Sequence, residues 1–313
     1  MKMNRIKDFQ KLEDHIVKWM EDYLTGSGMS GWVLGVSGGL DSAVVSTLAA
    51  KTRFPVMVLE MPIKQAKTQV DWGRDHISWL KRNFNNVQSR KINLIHSDSK
   101  IEGQDSEVVR HDTDVYGLLI KQLNNSLGCD IIKDDEIASL ADANSRARLR
   151  MLMLYYTATI TSSLVVGTGN KVEDFGVGFY TKYGDGGVDL SPIADLYKTE
   201  VRELGKHLGI IDEIITAAPT DGLWNDERTD EDQLGATYEN LEWAMEHLEI
   251  QVAGFVLPSS DDFTVMYTEE DLEDIEEEHG KEKAEAVKIL VSRYRTNKHK
   301  MDDIPVCYIS NLI

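Results

Sequence analysis

Residues 35–42 read GVSGGLDS and follow directly on the apolar run Trp32, Val33 and Leu34, which sets a glycine-hinged turn between a strand and a helix. The first turn of a helix has backbone N–H groups without partners and carries partial positive charge, so a slim turn at that point is a phosphate cradle. Gly38 and Gly39 supply the slimness. Asp41 and Ser42 fall in the first helical turn. A hydroxyl there can donate to phosphate, and a carboxylate beside phosphates makes best sense as a ligand of a bridging Mg²⁺. Taken alone, the octapeptide also suits a tight turn that binds nothing, and residues further along must decide.

The turn lacks the lysine of a Walker A loop. A Walker loop grips the β- and γ-phosphates for terminal transfer. A serine and glycine turn with an embedded aspartate suits a departing pyrophosphate instead, so cleavage between the α- and β-phosphates of ATP is expected.

Around this turn the pattern is α/β. After an amphipathic opening helix, residues 31–37 read as strand, 40–51 as helix, 54–62 as strand and 65–82 as helix. A short strand is expected at 91–95, a polar helical stretch up to 128, a long helix over 135–162 and a further strand over 163–170. Such alternation implies a parallel sheet covered on both faces, with ligands beyond the carboxyl ends of the strands. Residues 35–42 and 167–170 both fall at such ends. Helices are expected at 194–208 and 232–248, a functional loop at 171–189 and a mobile lid at 217–231. The acidic run 269–278 keeps Leu272 and Ile275 at helical spacing and reads as a solvated helix face without chemistry. Neither an internal repeat nor a low-complexity linker marks a boundary, so residues 1–313 are expected to form a single domain.

The chain has 313 residues, 42% of them hydrophobic, enough to bury a substantial core. Lys and Arg number 34 against 53 Asp and Glu, a net charge of −19, which opposes the dense phosphate contacts of a nucleic-acid binder. A small nucleotide remains acceptable, since Mg²⁺ and a few placed cations set the local potential. Cys129 and Cys307 stand far apart without histidine neighbours, which suggests neither a zinc site nor a disulfide framework. No run approaches membrane-spanning length, and the opening segment lacks the uninterrupted apolar stretch of a signal peptide. A cytoplasmic protein is expected.

Residues 165–201, VVGTGNKVEDFGVGFYTKYGDGGVDLSPIADLYKTEV, concentrate Thr168, Glu173, Lys182, Asp185, Asp189 and Lys198 just after a strand end. Glu173 and Asp41 can share one metal ion if their strands are neighbours in the sheet. Lys198 opens the next helix and is placed to neutralise a departing pyrophosphate; alone, it would equally suit a helix surface. Phe179, Tyr180 and Tyr183 around the Lys182 and Asp185 pair either frame a flat aromatic substrate bearing a carboxylate or pack a turn. Arg146, Arg148 and Arg150 alternate on the long helix, and at about 3.6 residues per turn they cannot all point one way. His299 and Lys300 form a basic patch that is either a ligand contact or a solvated tail.

These motifs resemble the NAD synthetases, members of the N-type ATP pyrophosphatase group. SGGLDS at 37–42 alone fits that wider group, which includes GMP, asparagine and argininosuccinate synthetases and RNA-thiolating enzymes; TKYGDGG at 181–187 narrows it. The likeness continues through GTGNKVED, LYKTEV, APTDGLW, TDEDQLG and the late HK pair. It implies a Rossmann-like, adenine nucleotide alpha-hydrolase-like parallel sheet in a homodimer. The implied reaction joins deamido-NAD and ammonia at the expense of ATP, giving NAD, AMP and pyrophosphate through an adenylated nicotinate carboxylate. By the same resemblance the ATP site falls on Gly35, Val36, Ser37, Gly38, Gly39, Leu40, Asp41, Ser42, Thr168, Lys198 and Thr220, with Asp41 and Glu173 as Mg²⁺ ligands. Deamido-NAD contacts fall on Arg148, Lys182, Asp189, His299 and Lys300, some reaching across the dimer. Asp185 falls at the ammonia pocket, and catalysis rests on Asp41, Asp185 and Lys198. A dimer interface would also account for apolar surface on the long helix at 151–156.

Two departures from the family pattern are Arg228, where many relatives have Gln, and a longer, more polar stretch at 90–135. Roughly 30 residues precede the first strand, so no glutaminase domain is expected and nitrogen should arrive as free ammonia. Rival readings are an RNA-thiolating pyrophosphatase and a catalytically silent nucleotide-binding module. Two scattered cysteines and an acidic chain oppose the first; Asp41, Glu173 and Lys198 oppose the second.

Overall fold

The computed structural model describes residues 5–63, 65–92, 94, 122, 126, 135–220, 222, 228–251 and 269–306. Cys129, Cys307, most of the stretch 90–135 and most of the lid segment beyond Thr220 lie outside the described residues.

Four strands, β1 (Gly31–Gly35), β2 (Val56–Glu60), β3 (Val87–Lys91) and β4 (Ser163–Val165), form a parallel sheet in the order β3-β2-β1-β4. The chain steps outward from β1 to β3 and then returns to lay β4 on the other side of β1. That reversal opens a crevice at the carboxyl ends of β1 and β4, the place where open α/β sheets hold ligands. Trp32, Leu34, Val56, Val58 and Leu164 belong to one apolar core, and Val33, Leu59 and Val165 to another. Strands apolar on both faces are those of a buried parallel sheet.

Helices among the described residues include α1 (Phe9–Ser27), α2 (Leu40–Lys51), α3 (Lys67–Asn83), α4 (Asp135–Thr161), α5 (Lys198–His207), α6 (Asp212–Thr216), α7 (Asp230–Leu234), α8 (Tyr238–Gln251), α9 (Glu269–His279) and α10 (Lys281–Met301). α2 is buried along almost its whole length. Its Ala, Ser, Thr and Val residues are small enough to be surrounded, and the buried hydroxyls of Ser46 and Thr47 donate back to Ala43 O. α4 supplies Met153, Leu154, Tyr155 and Ala158 to the core on the opposite sheet face, so helices cover both faces as expected. The buried carboxylate of Glu13, on α1, joins the far ends of α2 and α5: Lys51 Nζ donates to Oε1 at 2.7 Å, and His207 Nε2 lies 3.0 Å from Oε2. Both partners sit in the last turn of their helix, where a cation suits the dipole.

A further core is helical. A six-residue π-helix, Val172–Val177, packs with α8 and α10 through Val172, Val177, Leu241, Met245, Val287 and Leu290. Three sequence expectations shift. The third strand lies at Val87–Lys91 rather than 91–95, because only Val87 of this edge strand is buried and its apolar signal is weak. The helix expected over 232–248 is broken: α7 ends at Gly235, whose φ of 84° is left-handed, and α8 restarts at Tyr238. The helix expected from 194 begins at Lys198, with Tyr197 as its N-cap. α9 carries the acidic run with Ile275 turned inward, matching the solvated face read from spacing.

Candidate active site

The turn after β1 is held by its own residues. Gly38 has φ of 91°, and a Cβ there would lie 2.0 Å from the backbone oxygen of Gln69, so no other residue fits. Ser42 Oγ donates to Gly39 O at 3.0 Å and accepts from Ser37 N at 3.3 Å, which ties the hydroxyls into the loop. The N-cap of α2, Gly39, offers no side chain to its first turn, leaving N–H groups open to a ligand.

Across the β1/β4 crevice, the chain after β4 brings Asn170, Glu173 and Lys198 to Asp41. Lys198 Nζ donates to Asp41 Oδ2 at 2.6 Å and to Glu173 Oε1 at 3.1 Å, while the residue is only 6% exposed. Buried Asn170 accepts from Val172 N and Glu173 N through Oδ1 and donates to Asp41 Oδ2 at 3.3 Å. Tyr238 Oη donates to Glu173 Oε1 at 2.6 Å. Glu242, from α8, accepts from Thr199 N at 2.9 Å and from Thr199 Oγ1 at 2.6 Å, capping the helix that Lys198 opens.

One lysine thus stands among several carboxylates. Burial disfavours the Lys198 ammonium, but Asp41, Glu173 and Asp230 outweigh it and hold its pKa above the ordinary lysine value. Burial and the neighbouring Glu173 raise the Asp41 carboxyl, against the pull of Lys198. Burial, then repulsion from Glu173, Asp185 and Asp41, pushes Asp174 up to about 8. Negative charge in excess of its one lysine, with Asp41 Oδ1 buried and lacking a partner among the described residues, fits a cation with oxygen ligands. No group of three His, Cys, Asp or Glu among the described residues is arranged to hold an ion by itself, so phosphate oxygens would have to complete the set.

Residues 35–42, Thr168, Glu173, Asp185, Lys198 and Thr220 all line one cavity of about 290 Å³. Asp185 Oδ1 accepts from Thr181 N at 2.9 Å, which holds its carboxylate at the wall. Ala217, Ala218 and Pro219, the described start of the expected lid, line the cavity as well. Thr220 Oγ1 donates to Arg228 O at 3.1 Å, so Arg228 meets this segment through its backbone. Of the three alternating arginines, Arg150 lines the cavity and donates to Met61 O at 3.1 Å. Arg146 pairs with Asp142 at 3.2 Å.

Arg148, Lys182, Asp189, His299 and Lys300 are not among the cavity's lining residues. Four of them gather beside it: Arg148 Nε donates to Lys182 O at 3.3 Å, Lys182 Nζ to His299 O, and Lys300 Nζ to Gly178 O and Tyr180 O at 2.9 and 3.0 Å. The Asp189 carboxylate is engaged elsewhere, accepting from Val165 N at 2.7 Å and from Tyr155 Oη at 3.0 Å.

Sequence reasoning missed Asn170, Asp174 and Tyr238 as site residues. Asn170 had a signal, since it ends the GTGN stretch at a strand end and a short amide there is a natural cap. Tyr238 had none, being 65 residues from the carboxylate it touches.

Comparison with known proteins identifies the family. Residues 12–253 match the NAD synthase family. The NH3-dependent NAD+ synthetase of Methanococcoides burtonii is 36% identical over 240 residues, 75% of this chain and 78% of that protein. The solved NMN synthetase of Francisella tularensis superposes with a TM-score of 0.68 at 25% identity, over 96% of this chain and 99% of that one. The NH3-dependent NAD synthetase of Campylobacter jejuni, solved with nitrate, superposes at 0.64 with 22% identity, over 96% of this chain and all of that one, and shares the fold. The family match over residues 12–253, together with 36% identity along three quarters of the sequence, places the chain, with its glycine turn at the sheet's reversal point and its lysine between two carboxylates, in the NH3-dependent NAD+ synthetase family.

Proposed function

We propose that the cavity adenylates the nicotinate carboxylate of deamido-NAD and then admits ammonia to the activated carbon. A carboxylate oxygen attacks the α-phosphorus of ATP, the bond to the bridging oxygen breaks and pyrophosphate leaves. Ammonia then attacks the acyl carbon, the bond to AMP breaks, and a proton is lost as the amide forms. No covalent enzyme intermediate is required, so catalysis rests on positioning and on charge stabilisation.

The observation that carries this reading is Lys198 bridging Asp41 and Glu173 in front of the α2 N-terminus. The open N–H groups of α2 and the Lys198 ammonium receive negative charge as pyrophosphate departs. Asp41 and Glu173 would hold Mg²⁺ together with phosphate oxygens. When bound, that ion would neutralise charge on the departing group. Asn170 and Tyr238 keep the two carboxylates turned to the crevice. Asp185 accepts hydrogen bonds from incoming ammonia, and the patch of Arg148, Lys182, His299 and Lys300 receives the rest of the dinucleotide. Asp189 acts through Tyr155 and the end of β4. The sheet and the helical core work as one domain, since Tyr238 of the helical core reaches Glu173. We place the reaction in a cytoplasmic homodimer; the exposed apolar side chains of Leu152, Tyr156 and Ile160 on α4 support the dimer.

The likeness to an NMN synthetase makes nucleotide size the second question. The test supplies Mg²⁺, ATP and ammonium with either deamido-NAD or nicotinate mononucleotide, and follows amide product and pyrophosphate. Faster turnover of deamido-NAD is expected. Preference for the mononucleotide would reassign the substrate, and absence of pyrophosphate with both would reject the reading. Glutamine in place of ammonium should not support turnover.

A further inference from the structure

The wall of the cavity holds a cation that the reaction above does not use. Arg202 lies one helical turn beyond Lys198 on α5 and lines the same cavity. Its Nε is buried and has no hydrogen-bond partner among the described residues. A guanidinium edge shielded from water is unfavourable until an anion completes it.

Helix geometry locates it relative to the phosphate turn. α2 and α5 run side by side in the same sense: Lys198 meets Asp41 at their starts, and Glu13 joins Lys51 and His207 at their ends. Gly205 packs on the first residue of α2, where an added Cβ would lie 3.0 Å from Leu40 Cδ1. Arg202 precedes Gly205 by three residues, hence shares its face and stands about 4.5 Å nearer the start of α5. Arg202 lines the cavity together with Gly38, Gly39 and Leu40, the residues at the start of α2.

We propose that Arg202 is a second anchor for diphosphate, binding the outer phosphates of ATP and the released pyrophosphate through its planar fork. Lys198 holds a point charge at the carboxylates, whereas a guanidinium matches two phosphate oxygens at once. This inference rests on the pyrophosphate-releasing reading of the cavity.

The test compares wild type with Arg202→Gln and Arg202→Lys in the steady state, measuring KM for ATP and inhibition constants for pyrophosphate and for AMP. In the glutamine variant the ATP and pyrophosphate constants should rise about tenfold to a hundredfold, as expected for loss of a charge-assisted bond. AMP, which lacks the outer phosphates, should inhibit within about twofold of wild type. Arg202→Lys should fall between, because it keeps the charge without the fork; it carries the comparison if the glutamine variant does not fold. Unchanged pyrophosphate inhibition, or equal weakening for pyrophosphate and AMP, would overturn the assignment. A wild-type protein that releases no pyrophosphate would remove the underlying reading instead.

Discussion

Tyr238 donates its hydroxyl to Glu173 across 2.6 Å, and through that bond the helical core holds a carboxylate of the sheet crevice. The ring also lies 5.1 Å from Lys198 Nζ, so one side chain supports both the carboxylate and its cation. Burial, Glu173 and Asp230 all hold the phenol protonated, well above the usual tyrosine pKa, and keep it a donor at every working pH. Tyr238→Phe should lower kcat by about tenfold, the range for a lost hydrogen bond to a charged group, with an unchanged circular dichroism spectrum. Wild-type kcat in that variant would show that Glu173 needs no such support.

Asp41 faces Lys198 and Asn170 through Oδ2, while Oδ1 has no partner among the described residues. Asp41→Asn keeps the shape and removes the charge, so pyrophosphate release should fall by about a hundredfold or more while the fold survives. Turnover at the wild-type rate would remove Asp41 from the mechanism.

His76 offers a pH prediction away from the cavity. It is fully buried against Ser46, with Nε2 at 2.9 Å from Oγ, and burial lowers its pKa from 6.5 to about 4. Between those values the unfolded chain binds a proton that the folded chain does not. Stability from this group is therefore full above pH 6.5 and is lost as pH falls toward 4. The shift corresponds to about 3 kcal/mol. Urea unfolding at neutral pH and at pH 4.5 should show the loss in wild type and a smaller one in His76→Gln. Equal losses in both would exclude His76 as the source.

Much of the site was legible because its signals are local. Gly38 and Gly39 announce the turn, the run from Trp32 to Leu34 announces β1, and Lys198 opens a helix just after a dense polar stretch. The adjacency of β1 and β4, on which the Asp41 and Glu173 pairing depended, is borne out by their register. What was not legible depends on distant partners or weak patterns. Glu13 meets His207 across 194 positions, and nothing near either residue marks the pair. β3 was displaced because an edge strand with one buried residue has no clear alternation. Asp189 is expected at deamido-NAD by resemblance alone, and the Tyr155 Oη and Val165 N that donate to its oxygens stand 34 and 24 positions away.

Leu152, Tyr156 and Ile160 repeat every four residues on α4 and are each more than half exposed, at 55%, 64% and 66%. Such a stripe suits a partner helix. Sedimentation should show a dimer for wild type and a monomer for Tyr156→Asp. A monomeric wild type would contradict the dimer.

The adenylated carboxylate is tested most directly by isotope transfer. Deamido-NAD labelled with oxygen-18 in its nicotinate carboxylate is turned over with ATP and ammonium, and the products are weighed by mass spectrometry. The mechanism predicts one labelled oxygen in AMP and none in pyrophosphate; label in phosphate or pyrophosphate, or ADP as the nucleotide product, would contradict it.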